Sequence, residues 1–456
     1  MKRKLLGLTM ALVAALPVFV NAEGNAVKIG EKEYATLKDA VEAVEVCTEE
    51  TCETTTISVV ANHETSGIKF ASGKYLEIDL GGFTVTFKEQ TVGSKGTETN
   101  DMQILKDSTI TFKNGKLVSS NTEKSKYFIQ NYANLTLKDV EIDATNELNQ
   151  DALSINNGVV SIEGTTSIKA TKIAFDVYGW YGSYSSGPQV TVNTTGTIEG
   201  DIEVATDGKP ATKELSLVIK NIDHVGTMTI KDSLQDNVTI EAGSYTDAVA
   251  AEKLPVAEGS EVYEVGVTDG SVKYVVATEE ELEEGYLWFL FENETVEDIY
   301  GEEVLTLIKE ALAEKYNAAS YYELFYGDLL GDGIVLDSIK SELEEAVKVT
   351  LEIPTNLEKV KEGYTRKYVA IRIHENQAGE YETTVLEAKD NQDGTVTFET
   401  DKFSTYVLAY EDVKTETSST SNPDTLDRIS LYMIIAAASL VGLGSLVVYT
   451  KKAKNY

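Results

Sequence analysis

Three stretches decide the fold: Ile104 to Phe112 (Ile-Leu-Lys-Asp-Ser-Thr-Ile-Thr-Phe), Ile129 to Leu137 (Ile-Gln-Asn-Tyr-Ala-Asn-Leu-Thr-Leu) and Leu153 to Ile162 (Leu-Ser-Ile-Asn-Asn-Gly-Val-Val-Ser-Ile). Each is a pair of short alternating strands around a polar turn, and they superpose with a period of 25 residues. That period sets Ile104 with Ile129 and Ser154, Ile110 with Leu135 and Val160, Phe112 with Leu137 and Ile162, and Asn131 with Asn156. A repeat this short cannot bury its own apolar face, but stacked copies make a continuous core, so the pattern predicts a parallel β-helix. An antiparallel β-sandwich is the alternative that short alternating strands leave open.

Outward from these three, the same two-strand unit returns at Ile173 to Val177 with Val190 to Val192, at Ile202 to Val204 with Leu215 to Ile219, and at Met228 to Ile230 with Val238 to Ile240. An earlier rung is legible in Ile57 to Val60, Ile68 to Phe70 and Leu76 to Phe87, behind an amphipathic helix from Thr36 to Val46. Two consecutive rungs lengthen the same turn. One inserts Tyr178 to Gly187, carrying Tyr178, Trp180, Tyr181 and Tyr184; the next inserts Thr206 to Glu214, carrying Asp207 and Lys209. Stacking places both on one flank, and insertions on one side of a repeat array mark a candidate contact surface. Aromatics set among Gly and Ser suit a sugar ring or an extracellular protein. The competing reading is a local mini-core folded over the solenoid.

The chain has 456 residues, 42% hydrophobic and 25% charged, as expected for several globular units. With 75 acidic against 40 basic residues, its formal charge is −35. Nucleic acid is excluded as a natural partner, because binding it depends on cationic groups that displace counterions. No arginine stands between Arg3 and Arg366, and the histidines His63, His224 and His374 are scattered and read as turn or surface residues. Asp143, Asp151 and Asp176 are the acids to consider for glycoside chemistry. Beside Asn and Gly they also suit turns, so no catalytic residue, metal or cofactor is assigned.

Residues 1–22 combine Lys2, Arg3 and Lys4 with an apolar run ending at Ala22, predicting a secretory signal cleaved before Glu23. In an exported chain the two cysteines, Cys47 and Cys52, are expected to pair. Residues 429–449 form an uncharged, mostly apolar run long enough to cross a bilayer as one helix, and Lys451, Lys452 and Lys454 place the tail 450–456 inside. Ahead of it, a linker over 414–428 contains Asn422, Pro423, Asp424 and Thr425. This layout resembles the sorting signals of Gram-positive wall-anchored proteins, and the resemblance implies a sortase acting after Thr425. Asn422 and Leu426 stand where that family has leucine and glycine, so a wall linkage and a retained single-pass membrane helix both stay open. Either one displays the chain at the cell surface.

Tyr34 to Ala43, Ile57 to Val60 and Ile78 to Phe83 resemble the opening of right-handed, pectate-lyase-like β-helix modules in bacterial surface proteins, and Val238 to Tyr245 resembles the end of one. A β-helix over 57–277, after a cap over 23–56 with the helix and disulfide, is therefore expected. Over 278–413 the texture changes to an amphipathic helix, Glu302 to Lys315, and strands at Tyr322 to Tyr326, Val347 to Ile353, Tyr368 to His374, Thr395 to Glu399 and Ser404 to Tyr410. This part resembles a membrane-proximal β-sandwich of secreted Gram-positive proteins. The reading as a whole is mainly β: a right-handed parallel β-helix, a small α+β or β-sandwich stalk and one C-terminal transmembrane helix. The expected function is a non-enzymatic, adhesin-like surface protein that recognises a glycan or an extracellular protein. A polysaccharide lyase or hydrolase, and a structural wall protein without a specific ligand, are the alternatives.

Overall fold

The structure, a computed structural model, describes residues 24–48, 51–89, 91–122, 125–247, 253–267, 271–291, 301–313, 315–331, 333–376 and 378–415. The signal segment with Ala22 and Glu23, the stretch Asn422 to Thr425 and the apolar run 429–449 lie outside them. No helix among the described residues is long and apolar enough to cross a membrane. The chain divides into two units, one reaching Val262 and including Tyr274–Ala277, the other made of Tyr263–Lys273 and the residues from Thr278 on.

The first unit is a β-solenoid of about six turns. Each turn contributes to three parallel sheets, not the two that the paired-strand reading of the repeat contained. Sheet A stacks Thr55–Val59 on Tyr75–Asp79, then on the first halves of Thr109–Ser119 and Asn134–Ala144, and continues through Val159–Gly164. Sheet B uses the second halves of those same long strands, with Lys116 opposite Glu141 and Glu141 opposite Ser167. Sheet C stacks Ile68–Phe70, Thr97–Ile104, Tyr127–Asn131 and Asp151–Ile155, followed by the later parts of Ser167–Gly179 and Gln189–Thr206. The bend from sheet A to sheet B recurs at Asn114, Asp139 and Gly164, all at positive φ (58°, 55° and 71°). Only Asn, Asp and Gly enter that region readily, which is why these types recur at this corner.

The inner columns are the predicted ones on sheet A: Ile110, Leu135 and Val160 are in register, as are Phe112, Leu137 and Ile162, and all are buried. On sheet C the register differs from the simple period. Ile129 lies opposite Met102 and Leu153, while Ile104 lies opposite Asn131, which lies opposite Ile155. Asn131 is buried in that apolar column because its amide bonds the Ala133 carbonyl at 2.8 Å and closes the corner. The corners then stack so closely that a Cβ on Gly158 (φ +89°) would lie 2.1 Å from the Ala133 oxygen. His224 is also drawn inward, opposite Ile198 and Tyr245, with Nε2 2.9 Å from the Gly200 carbonyl; it is not a surface residue.

The N-terminal end is closed by the hairpin Val27–Ile29 and Lys32–Tyr34, with Val27 opposite Val59, and by helix α1 (Leu37–Ala43). Thr36 and Asp39 form a capping box on α1, which buries Leu37, Ala40 and Val41. Cys47 and Cys52 are bridged. At the other end Tyr274–Val276 pair antiparallel with Gly243–Tyr245.

In the second unit, strands Glu283–Phe291, Asn317–Leu330, Thr405–Lys414, Tyr364–Glu375 and Tyr381–Asp390 form an antiparallel sheet. Helix α2 (Glu302–Leu312) places Val304 and Ile308 against Ile371, Ile373 and Val407 on one face. The other face packs Tyr322, Ala370 and Leu408 with Val349, Leu351 and Phe398 of a second sheet, Glu342–Glu352 with Thr395–Lys402. His374, read from the sequence as exposed, is buried here against Glu342.

The sheet A register predicts opposite outcomes for two neighbouring columns. Leu135→Ala, at a fully buried column position, should cost roughly 2–5 kcal/mol. Val159→Ala, at a side chain 61% exposed, should stay within about 0.5 kcal/mol of wild type. Urea unfolding of the full chain followed by circular dichroism reads both, and equal effects would contradict the register.

Candidate functional site

On sheet C the residues between the two inner columns point outward, since side chains alternate along a strand. Register links them into one row: Lys69, Gln103, Gln130, Ser154, Asp176, Glu203 and Thr229. A second row, Asn100, Tyr127, Asp151, Ile173 and Asp201, runs beside it. Gln103, Ser154, Asn100 and Asp151 are buried although the first two belong to the outer row. The amides of Asn100 and Gln103 both donate to Gln130 Oε1, at 2.9 and 3.0 Å. That leaves Asn100 Oδ1 and Gln103 Oε1 buried with no hydrogen-bond partner.

The acids of this face act on one another. Burial pushes the Asp176 carboxyl up to about 8, and the charges of Asp151 and then Glu203 add to the rise; the Ser154 hydroxyl and the Ile155 N–H, 3.2 Å from Oδ1, oppose it. Asp151 is raised to about 6 by burial and by Glu203, while Lys126 and Lys172 pull it down. None of the three carboxylates has an ion pair among the described residues. Sheets A and B differ: Lys113 meets Glu77 at 2.7 Å, Lys116 meets Glu141 at 2.6 Å and Lys169 meets Glu199 at 2.9 Å. Asp143, grouped with Asp151 and Asp176 in the sequence, stands on sheet B, bonded to Thr145 at 2.8 Å and 3.4 Å from Lys116. Buried Asp101 also rises to about 6, but Ser119 and Asn121 occupy its two oxygens.

The two inserted corners do lie side by side. Thr212 N–H bonds the Ser185 carbonyl at 2.7 Å, Gly187 N–H bonds the Lys213 carbonyl at 2.8 Å, and Gly182 N–H bonds Asp207 Oδ2 at 2.7 Å. Tyr181 is buried and its hydroxyl accepts from Leu215 N–H at 2.9 Å, so it pegs one loop to the next. Burial opposes ionisation of Asp207, but the Gly182 and Lys209 N–H groups hold its carboxyl below the usual range. Both residues are thus engaged within the corner, and Lys209 is exposed beside them. Trp180 and Tyr184 fold back toward the solenoid onto Tyr132, with ring centroids 6.3 and 5.4 Å from it. Tyr132 is buried, whereas Trp180 remains 41% exposed.

The aromatic corner adjoins the acid row, since Tyr132 and Trp180 directly follow the sheet C strands Tyr127–Asn131 and Ser167–Gly179. Burial raises the Tyr132 phenol well above its ordinary range, and Tyr184, Tyr127 and, least, Asp176 add to that rise. Tyr178, two residues after Asp176 on the same strand, shares its outward face. Sequence reading missed Tyr132, Glu203, Gln103 and Gln130. A signal was present: Met102-Gln-Ile104, Phe175-Asp-Val177 and Ile202-Glu-Val204 repeat a polar residue between two apolar ones. Among the described residues no group of three His, Cys, Asp or Glu could hold a metal.

No protein-family model matches the chain, and no curated protein and no solved structure matches it.

The raised Asp176 gives a pH dependence with a definite sign. Between its ordinary value of 3.8 and about 8 the folded chain holds a proton that the unfolded chain releases. Its contribution to stability is complete below about pH 4 and is lost as pH rises through about 8. Asp176→Asn keeps the shape and removes the titration. The solenoid's melting temperature should fall from pH 5 to pH 8 in wild type and fall less in Asp176→Asn. A wild-type slope matched by the variant would contradict the raised carboxyl.

Proposed function

We propose that the chain is an exported, surface-displayed protein that recognises saccharides, without cutting them, through the outer face of sheet C and its aromatic corner. The observation that carries this reading is the exposed Trp180, backed by Tyr132 and Tyr184, beside a row of hydrogen-bonding side chains. An aromatic ring offers a flat apolar surface to the C–H face of a sugar, while amides and carboxylates accept from its hydroxyls. The regular solenoid supports the row on rigid strands, which lowers the ordering cost of binding. Surface display is supported by the signal-like residues 1–22, the apolar run 429–449 and the sorting-like Asn422 to Thr425.

One observation favours a second reading, glycoside hydrolysis. Asp151 and Asp176 face the same surface with acidities pushed apart, to about 6 and about 8, so one is largely ionised at neutral pH while the other keeps its proton. That division of roles is what a base and an acid on either side of a glycosidic bond require.

The test is a binding screen of the full chain against a glycan panel, with Trp180→Ala and Asp151→Asn beside wild type and all three shown to be folded. The expected result is a glycan bound intact, with affinity lowered about tenfold or more, some 1.4 kcal/mol, in Trp180→Ala. Shortening of that glycan by wild type, stopped by Asp151→Asn, would hand the face to the hydrolysis reading. Binding unaffected by Trp180→Ala would remove the aromatic corner from the site.

A further inference from the structure

We propose that the acid row selects saccharides bearing free, unacetylated amino groups; this rests on the recognition reading above and names the ligand class of that same face. Within the two rows, the buried atoms without a hydrogen-bond partner are acceptors. Asp151, Asp176 and Glu203 have no ion pair among the described residues, and the buried oxygens of Asn100 and Gln103 have no partner. Gln103 belongs to the row that contains Asp176 and Glu203, so the orphaned oxygen and the acids face one ligand path. A ligand that fits must bring donors.

Charge narrows the class. Asp176 and Glu203 are directly in register on neighbouring strands, where Asp176 keeps its proton at neutral pH, a pair of carboxyls whose joint ionisation a nearby cation would favour. On sheets A and B lysines on neighbouring strands relieve such charges, with Lys116 set against both Glu141 and Asp143. On sheet C the nearby cations, Lys126 and Lys172, act on Asp151. An ammonium group supplies both missing elements, a positive charge and three N–H donors. A uronate or sulfated sugar adds negative charge to a face that already carries three acids, in a chain of formal charge −35. An N-acetylated sugar brings donors but leaves the acids uncompensated.

The aromatic corner agrees with a cationic sugar. The Trp180 and Tyr184 rings, 6.2 Å apart, stand at the corner that flanks the row, and ring faces attract an ammonium as well as C–H groups. The strand repeat of about 4.8 Å presents Ser154, Asp176 and Glu203 at regular steps to an extended chain.

Calorimetry on the full chain at pH 6, where amino sugars are protonated, tests this with three probes: a glucosamine hexamer, an N-acetylglucosamine hexamer and a galacturonate hexamer. The glucosamine hexamer should bind at least about tenfold more tightly than either of the others. The Asp176→Asn, Glu203→Gln double variant, both changes being neutral isosteres, should erase that preference. Equal binding of acetylated and free-amine hexamers, or preference for galacturonate, would overturn the inference. The recognition reading would survive that result if Trp180→Ala still weakened whichever hexamer binds. A preference for the amine that persists in the double variant would place the cation elsewhere and also overturn it. Binding of none of the three would overturn it while leaving the broader recognition reading to the glycan panel.

Discussion

In-register stacking of parallel strands is the constraint on which the rest of the solenoid depends. Because neighbouring strands of a sheet lie about 4.8 Å apart, every side chain has a neighbour of fixed identity in the turn on either side. Inside, this builds unbroken columns such as Leu76, Ile110, Leu135, Val160 and Val190, each member covering the next. At the corners it forces recurrence of the same backbone conformation, met by Asn114, Asp139 and Gly164, and allows approaches that only Gly158 tolerates. Outside, it makes the electrostatics of each sheet a matter of which residues the register places together.

Those outer faces have diverged. On sheets A and B, charges on neighbouring strands pair lysine with acid, as in Lys113 with Glu77 and Lys169 with Glu199. Exposed pairs of this kind contribute little stability each, but they offset part of the acidic charge on those faces. On sheet C the register sets Asp176 against Glu203, near Asp151, with amides at one end of the row and aromatic rings at its margin. Perturbed carboxylates gathered on one face, with acceptors buried and unpaired beside them, mark the part of the solenoid that departs from the rules of stability alone.

How much of this could be read in the chain follows from coil length. Sheet A was legible because Ile110, Leu135 and Val160 are evenly spaced, so a fixed period of 25 finds their register. Sheet C was not, because the corner leading into Tyr127 and the one leading into Asp151 differ in length and shift the register against the period. Ile104 therefore stacks on Asn131, and Asp151 is carried away from Asp143, which a linear reading had grouped with it. Sheet B went unseen because its strands continue those of sheet A without a break, as in Asn134–Ala144. The inserted corners were legible as neighbours, but Tyr132 was not, since its part in the aromatic cluster depends on a loop some 50 residues later folding back on it.

The most direct measurement is a ¹³C NMR titration of the Asp176 side-chain carboxyl in the full chain, repeated in Glu203→Gln. Burial of Asp176 near Asp151, with Glu203 in register on the next strand, predicts a midpoint near 8 that moves down when the Glu203 charge is removed. A midpoint in the ordinary carboxylate range near 4, unmoved by Glu203→Gln, would contradict both the stacking and the face built on it.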